Sequence, residues 1–170
     1  MKPVLMQGDC LDAMWLIPEG SVDMILCDLP YGTTQNKWDS VIPFEPLWSH
    51  YWRVLKPNGA IVLTAAQPFT SALVMSQMKS FKYQWVWEKS KPTGHLIAHH
   101  QPMRNHEDVL VFSRERCTYN PQGLEPLGKV TRRGGNGGNF GESGKENFQE
   151  FTNYPRSVLK IASEGKTVHP

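Results

Sequence analysis

Val22-Asp23-Met24-Ile25-Leu26-Cys27-Asp28-Leu29-Pro30-Tyr31-Gly32 is the stretch whose reading decides the fold. Met24 to Cys27 is an apolar run, short enough for a strand buried in a parallel sheet. It stops at a carboxylate, a proline, an aromatic ring and a glycine. Ligands of open α/β sheets bind just beyond the carboxyl ends of strands, so Asp28-Leu29-Pro30-Tyr31 is a site candidate. Pro30 locks its own φ at about −65° and biases Leu29 toward extended geometry. A plain strand followed by a Pro-Tyr turn is the bland alternative.

Outward from this stretch the chain alternates strand and helix patterns. Val4 to Gln7 reads as a short strand, and Asp9 is placed to cap a short helix carrying Leu11, Met14 and Trp15 on one face. Thr33 to Asp39 is polar and loop-like. Pro46 to Leu55 puts Leu47, Tyr51, Val54 and Leu55 on one helical face. Lys56-Pro57-Asn58-Gly59 is expected to stop that helix with a left-handed Asn or Gly. Ala60 to Thr64 is the next buried strand. Gln67-Pro68-Phe69 opens a helix with Phe69, Ala72 and Leu73 inward, Pro68 suiting a first turn. Tyr83 to Glu88 alternates as a strand, with Trp85 and Trp87 on one face. His106 to Phe112 and Tyr154 to Ile161 read as further strands. Such alternation implies an α/β doubly wound sheet.

Composition sets the bounds. The chain has 170 residues, 39% hydrophobic and 20% charged, which fits one soluble domain. No apolar run approaches a membrane span, and the N-terminus lacks a signal-peptide pattern. Cys10, Cys27 and Cys117 are scattered without metal spacing, so a reduced, cytoplasmic setting is expected. His95, His99, His100 and His106 have neither helical nor finger spacing, and no metal is expected. A net charge of +2 does not by itself mark a nucleic-acid binder. The glycine-rich span Thr131 to Lys145 cannot support a regular element. It fails as a Walker loop because Asn139 stands where the first glycine belongs and Glu146 follows the lysine.

Asp28-Leu29-Pro30-Tyr31-Gly32 resembles the signature of the amino-methylating DNA methyltransferases, of which Asp-Leu-Pro-Tyr is a phage-type variant. Gly8-Asp9, Trp87-Glu88-Lys89 and His106-Glu107 before an apolar strand fit the same family in the same order. The phrase Val54 to Val62 is common to many Rossmann-like methyltransferases. The branch resembled is the β-type (permuted) one, and the resemblance covers nearly the whole chain. It implies a Rossmann-like sheet dependent on S-adenosylmethionine, and methyl transfer to the exocyclic amine of adenine (N6) in DNA. A cytosine-N4 or RNA amino methyltransferase is the alternative, as is a truncated, non-catalytic DNA-binding or dimer subunit.

The chemistry accounts for the residue types. An exocyclic amine is a poor nucleophile because its lone pair is delocalised into the ring. The Asp28 carboxylate and the Leu29 carbonyl can each accept one amine hydrogen, which leaves the lone pair facing a methyl donor. Pro30 stiffens the turn, and Tyr31 offers a flat face to a base taken out of the duplex. The resemblance further implies that Asp9, Cys10, Asp28 and His169 border the cofactor. Lys37, Lys89, Lys91, Arg104, Asn105, Arg132 and Arg133 are the expected DNA contacts, with solvated loop residues as the alternative for each.

The expected division is a catalytic core at 1–116, a flexible target-recognition-like region at 117–153, and the start of a further segment at 154–170. In the family, His-Pro is followed by Thr-Gln-Lys-Pro, a helix, and a strand ending in a Phe-x-Gly-x-Gly cofactor loop. The expectation is therefore an incomplete sheet with the strand of Val22 to Cys27 at its edge. Poor solubility or self-association and weak cofactor binding would follow, with a homodimer or a second polypeptide supplying the rest.

Overall fold

The computed structural model describes residues 2–132 and 146–162. Its contacts divide the chain into two units, Met1–Thr118 with Ser157–Pro170, and Tyr119–Arg156. In chain order the elements are α1 (Cys10–Met14), β1 (Val22–Asp28), α2 (Phe44–Val54), β2 (Leu55–Ala65), α3 (Phe69–Ser76) and β3 (Phe81–Thr93). A 3-10 turn (His95–Ile97), β4 (Arg104–Phe112), β5 (Glu125–Arg132), β6 (Glu146–Thr152) and β7 (Val158–Ile161) follow.

The first unit is built on a five-stranded sheet in the order β1-β2-β4-β3-β7. β1 runs parallel to β2, and β7 parallel to β3. β4 is antiparallel to both its neighbours, so the sheet is mixed. Ile61 and Leu63 of β2, with Leu110 and Phe112 of β4, point one way into a single core cluster. Met14 of α1, Leu47, Trp48 and Tyr51 of α2, and Phe69 and Leu73 of α3 fill that cluster from above. The described helices therefore share one face, where a doubly wound sheet carries helices on both. On the other face of β1, Met24 and Leu26 stay 54% and 66% exposed. No described helix is long and apolar enough to cross a membrane.

Local outcomes follow from pairing and packing. Asp9 caps α1, its Oδ1 accepting the Leu11 N–H at 2.8 Å. Val4 to Gln7, expected as a strand, has no regular structure and is exposed. It has no described partner strand, and water satisfies a lone extended segment as well as a sheet would. The expected left-handed stop after α2 does not form either. Leu55 is already extended, and Lys56 to Gly59 belong to β2. Gly59 is needed there for space and not for a left-handed turn. A Cβ on it would lie 2.7 Å from the Leu55 side chain and 2.9 Å from the Asp23 carbonyl oxygen. On α3, Phe69 and Leu73 are buried as expected, but Ala72 is exposed, because the helix turns it away from β2.

The second unit carries a two-stranded antiparallel sheet, β5 against β6. The stretch 117–153, expected as loop, thus holds a ribbon on which Val130 faces Phe148, 57% and 68% exposed. Residues 133–145, most of the glycine-rich run, lie outside the described residues.

Candidate active site

The carboxyl end of β1 and the loop after it, Trp87 and Lys89 of β3, Glu107 of β4 and Ile161 at the end of β7 line a cleft of about 600 Å³. That is a size fitted to a small ligand or one base. Asp28, the last residue of β1, stands opposite Thr64 of β2 in the parallel register. The Thr64 hydroxyl donates to Asp28 Oδ1 in a short hydrogen bond. The Tyr31 hydroxyl lies 2.9 Å from both Thr64 Oγ1 and Asp28 Oδ1. Two hydroxyls from different elements therefore converge on one carboxylate oxygen and hold the carboxylate in a set orientation. The Tyr31 ring stacks on Phe69 of α3, 5.2 Å between centroids and 24° apart in plane. One ring face is thus already covered, and Tyr31 is fixed by both ring and hydroxyl. Burial pushes the Tyr31 hydroxyl well above its ordinary range; the Thr64 hydrogen bond opposes this and the Asp28 carboxylate adds to it. The Tyr31 hydroxyl accordingly keeps its proton and serves as a hydrogen-bond donor.

After Gly32 the loop folds back on Asp39. Asp39 Oδ1 accepts the Gly32 N–H at 2.8 Å, and Oδ2 accepts the Thr33 and Thr34 N–H groups at 2.9 and 2.6 Å. The Thr34 side chain and then the Gly32 N–H hold this carboxyl below the usual carboxylate range. Successive backbone donors on one carboxylate stabilise its charged form. The clasp gives the Thr33, Thr34, Trp38 and Asp39 wall of the cleft its shape. On the far side, Trp87 of β3 stands opposite Glu107 of β4. Lys89 makes a short ion pair with Glu107, and its ammonium lies 4.9 Å from the Trp87 ring centroid.

Of the candidate catalytic residues, Asp28, Leu29, Pro30 and Tyr31 all line this cleft. The Leu29 side chain is in the core, 5% exposed. Asp9 and Cys10 are exposed at the start of α1. Burial raises the Cys10 thiol, with the Asp9 carboxylate and then Cys27 adding to the rise. His169 and Arg133 lie outside the described residues. Lys91 is exposed on β3, and Arg104 and Asn105 on β4, with Arg104 paired to Thr93. Lys37 is exposed in the loop after Gly32. The Arg132 backbone pairs with Glu146 in the second unit. Lys89 differs from the other candidate cations, since it is held inside the cleft by Glu107.

The sequence did not mark Thr64, Phe69, Asp39 or Glu107 as site residues. Glu107 was visible beside His106, but nothing in linear order shows that Lys89 is its partner.

No protein-family profile matches the chain. Among solved structures, the M1.HpyAVI–SAM complex is similar at a TM-score of 0.51 and 14% identity, covering 91% of this chain and 62% of that one. PvuII DNA methyltransferase (cytosine-N4-specific) is similar at a TM-score of 0.57 and 12% identity, covering 94% of this chain and 57% of that one. The chain thus spans about three-fifths of the length of each. At these identities the likeness is one of fold, and the α/β fold here is the one those structures share.

Proposed function

We propose that the chain carries the amine-binding half of an S-adenosylmethionine-dependent DNA methyltransferase acting on an exocyclic amino group, adenine N6 first. The observation that carries the reading is the Asp28 carboxylate, held by Thr64 and Tyr31 at the carboxyl end of β1 in a base-sized cleft. Asp28 would accept an amine hydrogen while the amine nitrogen bonds to the methyl carbon, the sulfur–methyl bond breaks, the neutral thioether leaves, and the extra proton on nitrogen passes to water. The protein's part is positioning and an acceptor fixed in advance. The cofactor supplies an electrophilic methyl group. The donor set fits it: exposed Asp9 is an acceptor for sugar hydroxyls, and exposed Asp28 is a carboxylate for a cationic centre.

DNA as the substrate is supported by the cations Lys91 and Arg104 with Asn105, all exposed on the β3–β4 ribbon that rises from the cleft. Phosphate contacts from such side chains position a duplex without reading its sequence. We further propose that a strand from a second copy or a second polypeptide pairs with β1. Its support is that β1 ends the sheet order and leaves Met24 and Leu26 exposed.

The test is methyl transfer from labelled cofactor to genomic DNA by the chain assembled with the polypeptide that completes the sheet beside β1, with the product nucleosides identified by mass spectrometry. N6-methyladenine is expected, and Asp28→Ala should abolish it without changing the fold. An Asp28→Ala protein that keeps most of the activity would refute the assignment. N4-methylcytosine would move the target to cytosine, a reading favoured by the fold shared with the cytosine-N4-specific PvuII enzyme.

A further inference from the structure

Lys89 is the only cationic side chain lining the cleft among the described residues. Lys89 and Glu107 keep only 25% and 23% of their side-chain surface exposed. Apolar walls flank them, from Trp87 and Ile161 to Tyr31 and Pro30. A pair withdrawn from water gives little net stability against apolar side chains of the same size, so its presence calls for another use. An ammonium has three donors. Glu107 takes one and the Trp87 ring faces another, which leaves capacity for one more acceptor.

The chemistry of the amino bases names that acceptor. Beside the amine-bearing carbon, adenine presents N1 and cytosine N3, both acceptors. At the corresponding ring position guanine and thymine carry an N–H donor. A flipped base is read by hydrogen bonds to this edge and by contact with aromatic walls. We propose that Lys89, fixed by Glu107 and Trp87, is a base-holding group that donates to the ring nitrogen next to the target amine. It accepts adenine and cytosine and opposes guanine and thymine, whose N–H would meet its own. The proposal rests on the amino-methyltransferase reading but concerns binding, so binding can test it alone. It also takes Lys89 out of the set of phosphate contacts.

The test is ligand-observed NMR titration of the whole chain with nucleosides. Adenosine and 7-deazaadenosine should bind alike, and 1-deazaadenosine and guanosine about tenfold more weakly, the scale of one charge-assisted hydrogen bond. Lys89→Met should lose the preference for adenosine over 1-deazaadenosine, and Lys89→Arg should keep part of it. Lys89→Met leaves Glu107 uncompensated, so the double variant Lys89→Met/Glu107→Gln is the control that removes both charges. It should fold and bind the two nucleosides equally. Wild type that treats adenosine and 1-deazaadenosine alike, or binds neither, would overturn the proposal. So would a double variant that still discriminates. DNA affinity gives a separate arm: the salt slope should be unchanged in Lys89→Met, and a fall of about one unit would return Lys89 to a phosphate. Nucleoside discrimination by a protein that transfers no methyl group even when assembled with the polypeptide that completes the sheet beside β1 would leave the base site standing and remove the methyltransferase reading.

Discussion

Thr64 sets the freedom of the Asp28 carboxylate. Its hydrogen goes to Asp28 while its oxygen lies within reach of the Tyr31 hydroxyl. Thr64→Val keeps the branch and removes both contacts. In the proposed reaction it should lower kcat by up to roughly a hundredfold, the scale of a misplaced reacting group, with little change in KM. Thr64→Ser should recover most of the loss. Tyr31→Phe should lose activity in the same direction, because the structure uses the Tyr31 hydroxyl as well as its ring. Steady-state kinetics on the three variants checks this, and full activity in Thr64→Val would remove the orienting role. Asp39 acts on the loop instead. Its carboxyl is held below the ordinary range in the folded state, so its contribution is complete above that range and is lost as pH falls through the lowered value. The Gly32, Thr33 and Thr34 amides should stay protected at pH about 5 and open only in acid below the usual carboxylate value of about 3.9. Amide exchange read as a function of pH checks this. Asp39→Asn should leave these amides open at every pH.

At the scale of elements, β2 carries the fold. It pairs with β1 on one side and β4 on the other, and it sends Ile61 and Leu63 into the core. At Gly59 there is no room beside β1, with the Asp23 carbonyl oxygen 2.9 Å from a built Cβ. Gly59→Ala should therefore destabilise the protein by about 1–3 kcal/mol, the usual range for overpacking. Phe112 on β4 is fully buried, with Trp48 and Phe81 around it at 5.0 and 5.6 Å between ring centroids. Phe112→Ala should cost about 3–5 kcal/mol. Denaturant titration of both variants measures these losses. A neutral Gly59→Ala would mean that β1 and β2 can part locally.

For the molecule as a whole, the two ends of the sheet and the cationic ribbon matter most. An edge strand with apolar side chains exposed invites pairing with another chain. Met24→Lys with Leu26→Lys should therefore reduce association of the full chain in sedimentation while leaving its melting temperature close to that of wild type. Association unchanged by two charges on β1 would place the contact elsewhere. On DNA, Lys91→Ala with Arg104→Ala should weaken binding evenly across sequences and lower the salt slope by up to about two units. A constant slope would make these side chains solvated ends of the ribbon.

The order of elements and the cleft's first wall were legible in the chain itself. Apolar runs marked β1, the Ala60–Thr64 part of β2 and β4, alternation marked β3, helical spacing marked α2 and α3, and Asp28 to Tyr31 announced a strand end that stops at reactive groups. Asp9 was recognisable as a cap because capping is decided within a few residues. Strand pairing is not decided that way. Val4 to Gln7 has the composition of a strand, yet only a neighbour can make it one. α2 passes straight into β2 at Leu55, which pairs with Val22 of β1, and linear order does not show that pairing. Asp28 meets Thr64 36 residues further on, Lys89 meets Glu107 18 residues further on, and the Tyr31 ring meets Phe69 of α3. Tertiary structure alone turned these scattered side chains into one polar site, because hydrogen bonds and ion pairs act over a few ångströms and sequence patterns carry no record of such distances.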